Sequence, residues 1–502
     1  MKKYSFYTLS FLLISFLSSC DAFLDVNSNP NNPVTENLPL SAKLPAALVS
    51  TVNQETQQIN LIGGFWGGYW GTSNEGVNQY FDLKTYNGPG IRSQRDGIPV
   101  WESGYNNILY FRLIQEEAEK ENAFFYSGVS KIMQGLLFLR LVDFYNNIPF
   151  DEAAQGNTYL NPVYESGEVV YQKSIALITE GMTDLKASET PAASNAGDLM
   201  FAGNISKWLK FANTVKLRAL IRQSEKGSPT YITEQIRLIE QEGSGYLTHG
   251  ENAAINPGYL NSAGKLNPLW ENYYRDVQGK TTANHLYIRP TEFLVGQMAN
   301  RKDPRAQALY LTISGKTEGV IFGNPDAGNS DFDALKTSSF KGPTENANQP
   351  TGIFHSISQS SMLLSSAESL FLQAEAAARG WITADVKGLY EQGIKASFEY
   401  YKVNQSLLAD HLAQESVDLN QAANPIERII GQKWLALNSV SSIEAWNDYR
   451  RLGFPEFPAT AATGVTGRPQ RLMYPETERG TNLENVQAQG SDLISERVWW
   501  MK

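Results

Sequence analysis

Apolar positions recur at three- and four-residue steps along most of this chain, and that spacing predicts helices. The clearest stripe is Leu363, Ala367, Leu370, Phe371, Ala374 and Ala378, within Ser365–Gly380. Its alanines let a second helix approach closely, so a packed pair is expected. Gly380 can take the left-handed conformation that closes a helix. A second stripe follows at Val386, Tyr390, Ile394, Ser397 and Tyr401. Earlier in the chain, Leu44, Leu48, Val52, Ile59 and Ile62 predict a first helix over 41–62. Trp101, Tyr105, Ile108 and Arg112 begin a second. A third spans 123–145 and is apolar on most sides, which places it inside a bundle. Val169, Leu177, Met182 and Leu185 mark a fourth, Ile205, Trp208, Ala212, Val215 and Ala219 a fifth, and Ile232, Ile236 and Ile239 a sixth.

Two stretches break this rhythm. Gly63 to Gly71 sets five glycines among four aromatics, a composition that disfavours helix. From Gly243 to about Ser360 long periodic runs are scarce, while Gly, Asn, Asp and Pro cluster. Short strands are expected over 285–289 and 319–322, and a helix over 292–300, ahead of Asp303-Pro304. A structureless loop of that length does not suit a compact domain, so 243–360 reads as an irregular subdomain inserted into a helical body. Helical register resumes at Ser361 and holds to about Arg451; Pro455, Pro458, Pro469 and Pro475 punctuate an irregular tail. Ser365–Tyr400 is one helix–turn–helix unit of 36 residues, close to the ~34-residue tetratricopeptide period. The expected fold is mainly α, a TPR-like helix-pair scaffold (46–242 and 361–502) carrying the insert 243–360 with a few short strands.

The N-terminus has its own signature. Met1-Lys2-Lys3 is a positive start, and Leu9–Leu17 is an apolar run too short for a membrane span. Leu17-Ser18-Ser19-Cys20 then matches a lipobox, so residues 1–19 are read as a leader and Cys20 as the lipidation site. An acylated terminus gives stable anchoring once two chains are attached. Asn and Pro dominate the residues that follow, and 20–45 reads as an extended tether. Cys20 is the only cysteine, which excludes an intrachain disulfide and thiol catalysis in the body.

The formal charge of −10 becomes more negative once Lys2 and Lys3 leave with a leader. Nucleic acid, which needs a basic footprint, is not an expected partner. Enzyme signatures are absent: His249, His285, His355 and His411 are scattered, and there is no HExxH pair, Gly-x-Ser-x-Gly elbow or phosphate-binding loop. No metal and no cofactor is expected. Glu368 and Glu375 stand two helical turns apart on one face. Paired carboxylates can cleave glycosides, but in an alanine-rich packed helix they read as ion-pair partners, with Arg450 and Arg451 available. Asn329-Ser330-Asp331-Phe332-Asp333 alternates oxygen ligands, yet the calcium-loop glycine is missing and the closing position falls on Phe340; it reads as a solvated loop.

Stacking is the strongest binding signal. Trp66, Tyr69 and Trp70 stand in the glycine-rich stretch with Asn74 and Glu75 behind them. Trp270, Tyr273, Tyr274 and Arg275 stand in the irregular segment. Aromatic planes suit the C–H faces of sugar rings, while amides, carboxylates and guanidiniums suit their hydroxyls. The alternative for each ring is that it pins its loop to the bundle.

Two blocks in order carry a family resemblance. They are Ala367-Glu368-Ser369-Leu370-Phe371-Leu372-Gln373-Ala374-Glu375-Ala376, and Gln432 to Asn438 followed by Glu444-Ala445-Trp446-Asn447-Asp448-Tyr449-Arg450-Arg451-Leu452-Gly453. With Phe23–Asn27, Trp208–Asn213 and Arg471–Pro475 they resemble the SusD/RagB nutrient-binding lipoproteins of the Gram-negative outer membrane. The resemblance implies a surface lipoprotein that binds an oligosaccharide and pairs with a TonB-dependent (SusC-like) transporter. It also implies a ligand site built from the loop between early helices and from the insert, where both aromatic clusters fall. A peptide ligand on the same architecture and a secreted helical glycosidase are the competing readings.

Overall fold

The computed structural model describes residues 38–189, 197–324, 329–465 and 467–502. The leader, Cys20 and the tether up to residue 37 lie outside the described residues. Helix α1 (Leu40–Gln54) turns Leu44, Leu48 and Val52 inward, as their spacing predicts. It starts before the expected end of the tether. The apolar stripe opens at Leu40 and Leu44, both buried, and outweighs Pro39 and Pro45. One π-helical turn, Glu55–Ile59, joins α1 to α2 (Asn60–Trp66).

α2 runs through Gly63 and Gly64, against the expectation that glycine would end the helix there. Packing supplies the reason. A Cβ on Gly63 would lie 2.1 Å from the Ile443 backbone nitrogen, and one on Gly64 2.3 Å from the Trp70 ring. Close approach of neighbours compensates for glycine's weak helix propensity.

Strand β1 (Trp70–Thr72) follows, and then five long helices: α3 (Val100–Glu121), α4 (Phe124–Tyr145), α5 (Gly167–Ala187), α6 (Ile205–Arg222) and α7 (Pro229–Glu242). α4 packs between α3 and α5 and is buried on nearly every side, as its all-round apolar pattern requires. Ser166, Asn204 and Ser228 cap α5, α6 and α7 by accepting a backbone N–H of the first turn. Gly243 ends α7 at φ 82°.

The next stretch is irregular, with short elements: β2 (Ala253–Ile255), α8 (Pro268–Tyr273), β3 (Ile288–Pro290) and α9 (Glu292–Asn300). β4 (Ser361–Leu364) then leads into α10 (Ser366–Ala378), α11 (Val386–Tyr400), α12 (Pro425–Ala436) and α13 (Ile443–Leu452). β1 pairs antiparallel with β3, Trp70 opposite Pro290; β2 pairs antiparallel with β4. The strand expected over 285–289 is cut short, because Thr282 caps a helical turn over Ala283–Tyr287. Of 319–322, only Val320 makes a bridge, to Thr291. α9 has the predicted bounds. α10 and α11 form the expected pair, and α10 also rests on α12 and α6.

Charged side chains fill the centre. Arg140 of α4 donates to Glu55 at 2.6 Å and to Glu444 of α13 at 2.6 Å. Arg222 of α6 also binds Glu444, and Arg218 sits 3.2 Å from Glu368. Arg451 binds Glu375 (2.8 Å) and Asp448 (2.9 Å), and Lys433 reaches Asp448 at 2.9 Å. Burial tends to raise a carboxyl's pKa and cationic neighbours lower it. Burial outweighs the guanidiniums nearest Glu368 and raises its pKa. Although burial opposes it, the cations gathered round Glu444, chiefly Arg222, Arg218 and Arg140, hold its pKa well below the usual carboxylate range. Arg451 is thus the partner expected for Glu375. Arg450 is not a carboxylate partner: it lies 3.5 Å over the Trp446 ring and donates to the Asp143 and Gln470 carbonyls.

Candidate functional site

The aromatic clusters converge, but inside the protein. Trp66, Tyr69, Trp70, Trp270, Tyr273 and Tyr274 are all buried, so none presents a free face as a stacking platform. The polar handles of Trp66, Tyr69, Trp70 and Tyr274 have found acceptors, which is what brings Trp and Tyr into a core. Trp66 Nε1–H donates to Leu83 O (3.0 Å), Tyr69 Oη–H to Trp434 O (2.7 Å) and Trp70 Nε1–H to Ser439 Oγ (2.8 Å). The Tyr69 ring stacks on Trp434 with centroids 5.2 Å apart, and Trp70 meets Tyr273 at 5.3 Å. Trp270 lies edge-on to Tyr274, which stacks on Phe354. Arg275 is half-buried over Tyr274 and donates to Glu345 Oε1 at 2.7 Å. These rings pin their loops to the bundle.

The same two regions also meet at the surface, through other residues. Beyond the β1–β3 ladder, Ser73 N–H donates to Tyr287 O (2.8 Å) and its hydroxyl to Leu286 O (3.0 Å). Gly76 packs on Tyr287 so closely that a Cβ would lie 2.6 Å from the tyrosine's own. Asn74 reaches this seam and acts as a latch, donating to Asn329 O (2.6 Å) and Asp333 Oδ1 (2.8 Å). Glu75 accepts from Ala334 N–H at 3.0 Å. Two cations tie the seam from below. Lys84 donates to Thr72 Oγ1 and Val77 O, and Arg289 to Thr337 Oγ1 and His285 O. Burial pushes Lys84 down to about 8 and Arg289 down to about 10. His285, pushed down to about 4 by burial, is a neutral ring whose Nε2 lies 3.0 Å from Phe340 O.

From this seam Phe81, Leu286, Ile321 and Leu335 project outward, Phe81 with 59% and Leu335 with 89% of its surface exposed. Tyr80 and Tyr287 are half-buried among them, and Tyr80 bonds Asn284. An apolar notch of about 80 Å³ lies at Phe293, Ile321, Phe322, Phe457 and Pro458. A single exposed leucine means little, but several apolar side chains on one latched, polar-edged seam mark an interaction surface. None of these residues stood out in the sequence. The available signal was an apolar residue between charges, as in Asp333-Ala334-Leu335-Lys336.

A family model described as starch-binding and associating with the outer membrane matches residues 37–475. The chain belongs to the SusD-like family. No curated protein matches the sequence. Solved structures show the same fold. A SusD homolog from Bacteroides fragilis is 22% identical, with a TM-score of 0.74 over 93% of this chain and 99% of that one. A homolog from Bacteroides uniformis is 24% identical, with a TM-score of 0.73 over 92% and 99%. A chitin-binding SusD homolog from Flavobacterium johnsoniae is 22% identical, with a TM-score of 0.74 over 92% and 98%.

In this SusD-like chain the paired carboxylates serve the core. Glu368 and Glu375 are fully buried, and Arg218, Arg379 and Arg451 occupy them. The Asn329 loop is spent locally too: Asn329 Oδ1 accepts from Asp331 N–H, and Asp333 accepts from Asn74. Among the described residues no helix is long and apolar enough to cross a membrane.

Proposed function

We propose that this SusD-like chain is a cell-surface nutrient-binding lipoprotein, facing the exterior of the outer membrane and anchored through Cys20. It holds an oligosaccharide at the seam and hands it to a TonB-dependent, SusC-like transporter without breaking the ligand's bonds. Residues 243–360 act as the insert that supplies much of the binding face. The family description supports a starch-like ligand, and the chitin-binding relative supports a β-linked one. The observation that carries the reading is the set of exposed apolar residues on a seam immobilised from both sides, since a pre-organised surface loses little entropy on binding.

Calorimetry of the mature chain against maltohexaose and N-acetylchitohexaose tests it. The double variant Phe81→Ala, Leu335→Ala should bind at least about tenfold more weakly, the worth of ~1.4 kcal/mol. Both side chains are exposed, so the melting temperature should hold; unaltered affinity would refute the seam. Anchoring has a separate test. Cys20→Ala should shift the protein from the membrane fraction to the soluble fraction, and persistent membrane attachment would count against lipidation.

A further inference from the structure

A second concavity lies away from Phe81 and Leu335, where β2 and β4, the start of α10 and the end of α11 come together. It is a groove of about 360 Å³. That is within the range of small-ligand sites, roughly 300–1,000 Å³. Asn252, Ser360, Met362, Ser366 and Tyr400 contribute to its walls. Below it a narrow pit of about 20 Å³, lined by Asn60, Asn267 and Ser439, shares Tyr400 and Met362 with the groove.

The chemistry of the walls is specific. Tyr400 is held by the rings of His355 (5.1 Å) and Tyr401 (5.4 Å), which fixes its plane. Among the described residues its hydroxyl has no hydrogen-bond partner, although burial keeps the phenol neutral. Asn252 Oδ1 is engaged by Ser366 N–H at 2.8 Å, which leaves the Asn252 amide hydrogens and the Ser366 hydroxyl without acceptors among the described residues. Asn252 is exposed, Tyr400 half-buried and Ser366 buried, so these open groups line the groove where a ligand can take them in place of water. The charged groups at the groove, Glu399 and Lys402, are of opposite sign, and Glu399 is engaged by His249 at 2.9 Å. His355 is held neutral by burial and by Lys402. Nothing here favours an anion or a cation. An aromatic plane with Met362 and Val440 beside it, edged by neutral donors and acceptors, matches the C–H faces and hydroxyl rim of a pyranose.

We infer that this groove is a second carbohydrate site, taking one end of a short neutral oligosaccharide, with Tyr400 as its stacking face and Asn252 and Ser366 as its hydrogen-bonding edge. It shares only the ligand class with the seam and needs none of the seam's residues.

The test is calorimetry of the mature chain against maltohexaose, N-acetylchitohexaose, cellohexaose and xylohexaose. The Phe81→Ala, Leu335→Ala variant should keep a residual site for at least one probe. Adding Tyr400→Ala should weaken that site at least tenfold, and Asn252→Ala several-fold. If Tyr400→Ala lowers the melting temperature, Tyr400→Phe with Asn252→Ala carries the comparison, since both retain the ring packing. Residual binding that ignores these changes overturns the inference, as does the lack of any residual site or of heat from all four probes. Binding that survives the seam variant and vanishes with the groove variant sustains the inference while refuting the seam.

Discussion

Trp70→Ala should destabilise the fold by about 3–5 kcal/mol, the usual cost of removing a buried large aromatic. The urea midpoint would read it. Trp70 is fully buried, its indole N–H holds Ser439 Oγ, and its ring meets Phe65, Tyr273 and Phe340. It therefore joins α2, the irregular segment and the turn before α13 at once. Gly64 lies against the ring and has no side chain with which to fill the void. A midpoint equal to wild type, coupled with weaker glycan binding, would restore Trp70 as a ligand platform and count against the packing described above. The same argument applies to Trp66, whose N–H holds Leu83 O and whose ring lies 5.0 Å from Trp446.

Glu444→Gln should cost a comparable amount, about 3–5 kcal/mol, because it strips the shared counter-charge from buried guanidiniums. Glutamine keeps the size of glutamate and some of its hydrogen bonds, so the loss isolates charge from volume. Arg140 would retain Glu55, while Arg222 would keep only a longer contact, 3.4 Å, to Asp143. The pH dependence has a definite sign. Glu444 and Asp448 have depressed pKa values in the fold, through Arg222 and its neighbours and through Lys433 and Arg451 respectively, against the opposing effect of burial. Their contribution is therefore complete above the unfolded carboxyl pKa and is lost as pH falls through the folded one. Glu55 and Glu368 are raised by burial and act oppositely, stabilising less as pH rises. Acid unfolding of wild type should accordingly be steeper than that of Glu444→Gln; equal slopes and equal midpoints would mean the network carries no net stability.

The helices were legible because burial on one face imposes a period that the sequence must keep. α10 and α11 fall where the stripes of apolar residues place them, and α9 has the bounds expected ahead of Asp303-Pro304. The pairing of Glu375 with Arg451 was legible for the same reason, since a charge in an alanine-rich stripe needs a partner. The proposed binding surface was not legible. Trp66, Tyr69 and Trp70 stood out by composition, but composition does not report which way a ring points. The glycines between them held the answer, because glycine beside aromatics can mark close backbone packing as well as a loose loop. Phe81 and Leu335 acquire meaning only when β1 pairs with β3 and brings distant segments to one edge. That pairing spans more than two hundred residues and leaves no local trace.

The distribution of the central charges also constrains how the chain can be assembled. Arg140, Arg218 and Arg222 all precede residue 243, whereas Glu368 and Glu444 follow residue 360. A chain emerging N-terminus first would carry those guanidiniums long before their main acceptors arrive. The early helices should thus keep part of this guanidinium cluster hydrated until residues 368–444 have emerged, with Glu55 and Asp143 as the acceptors at hand before then.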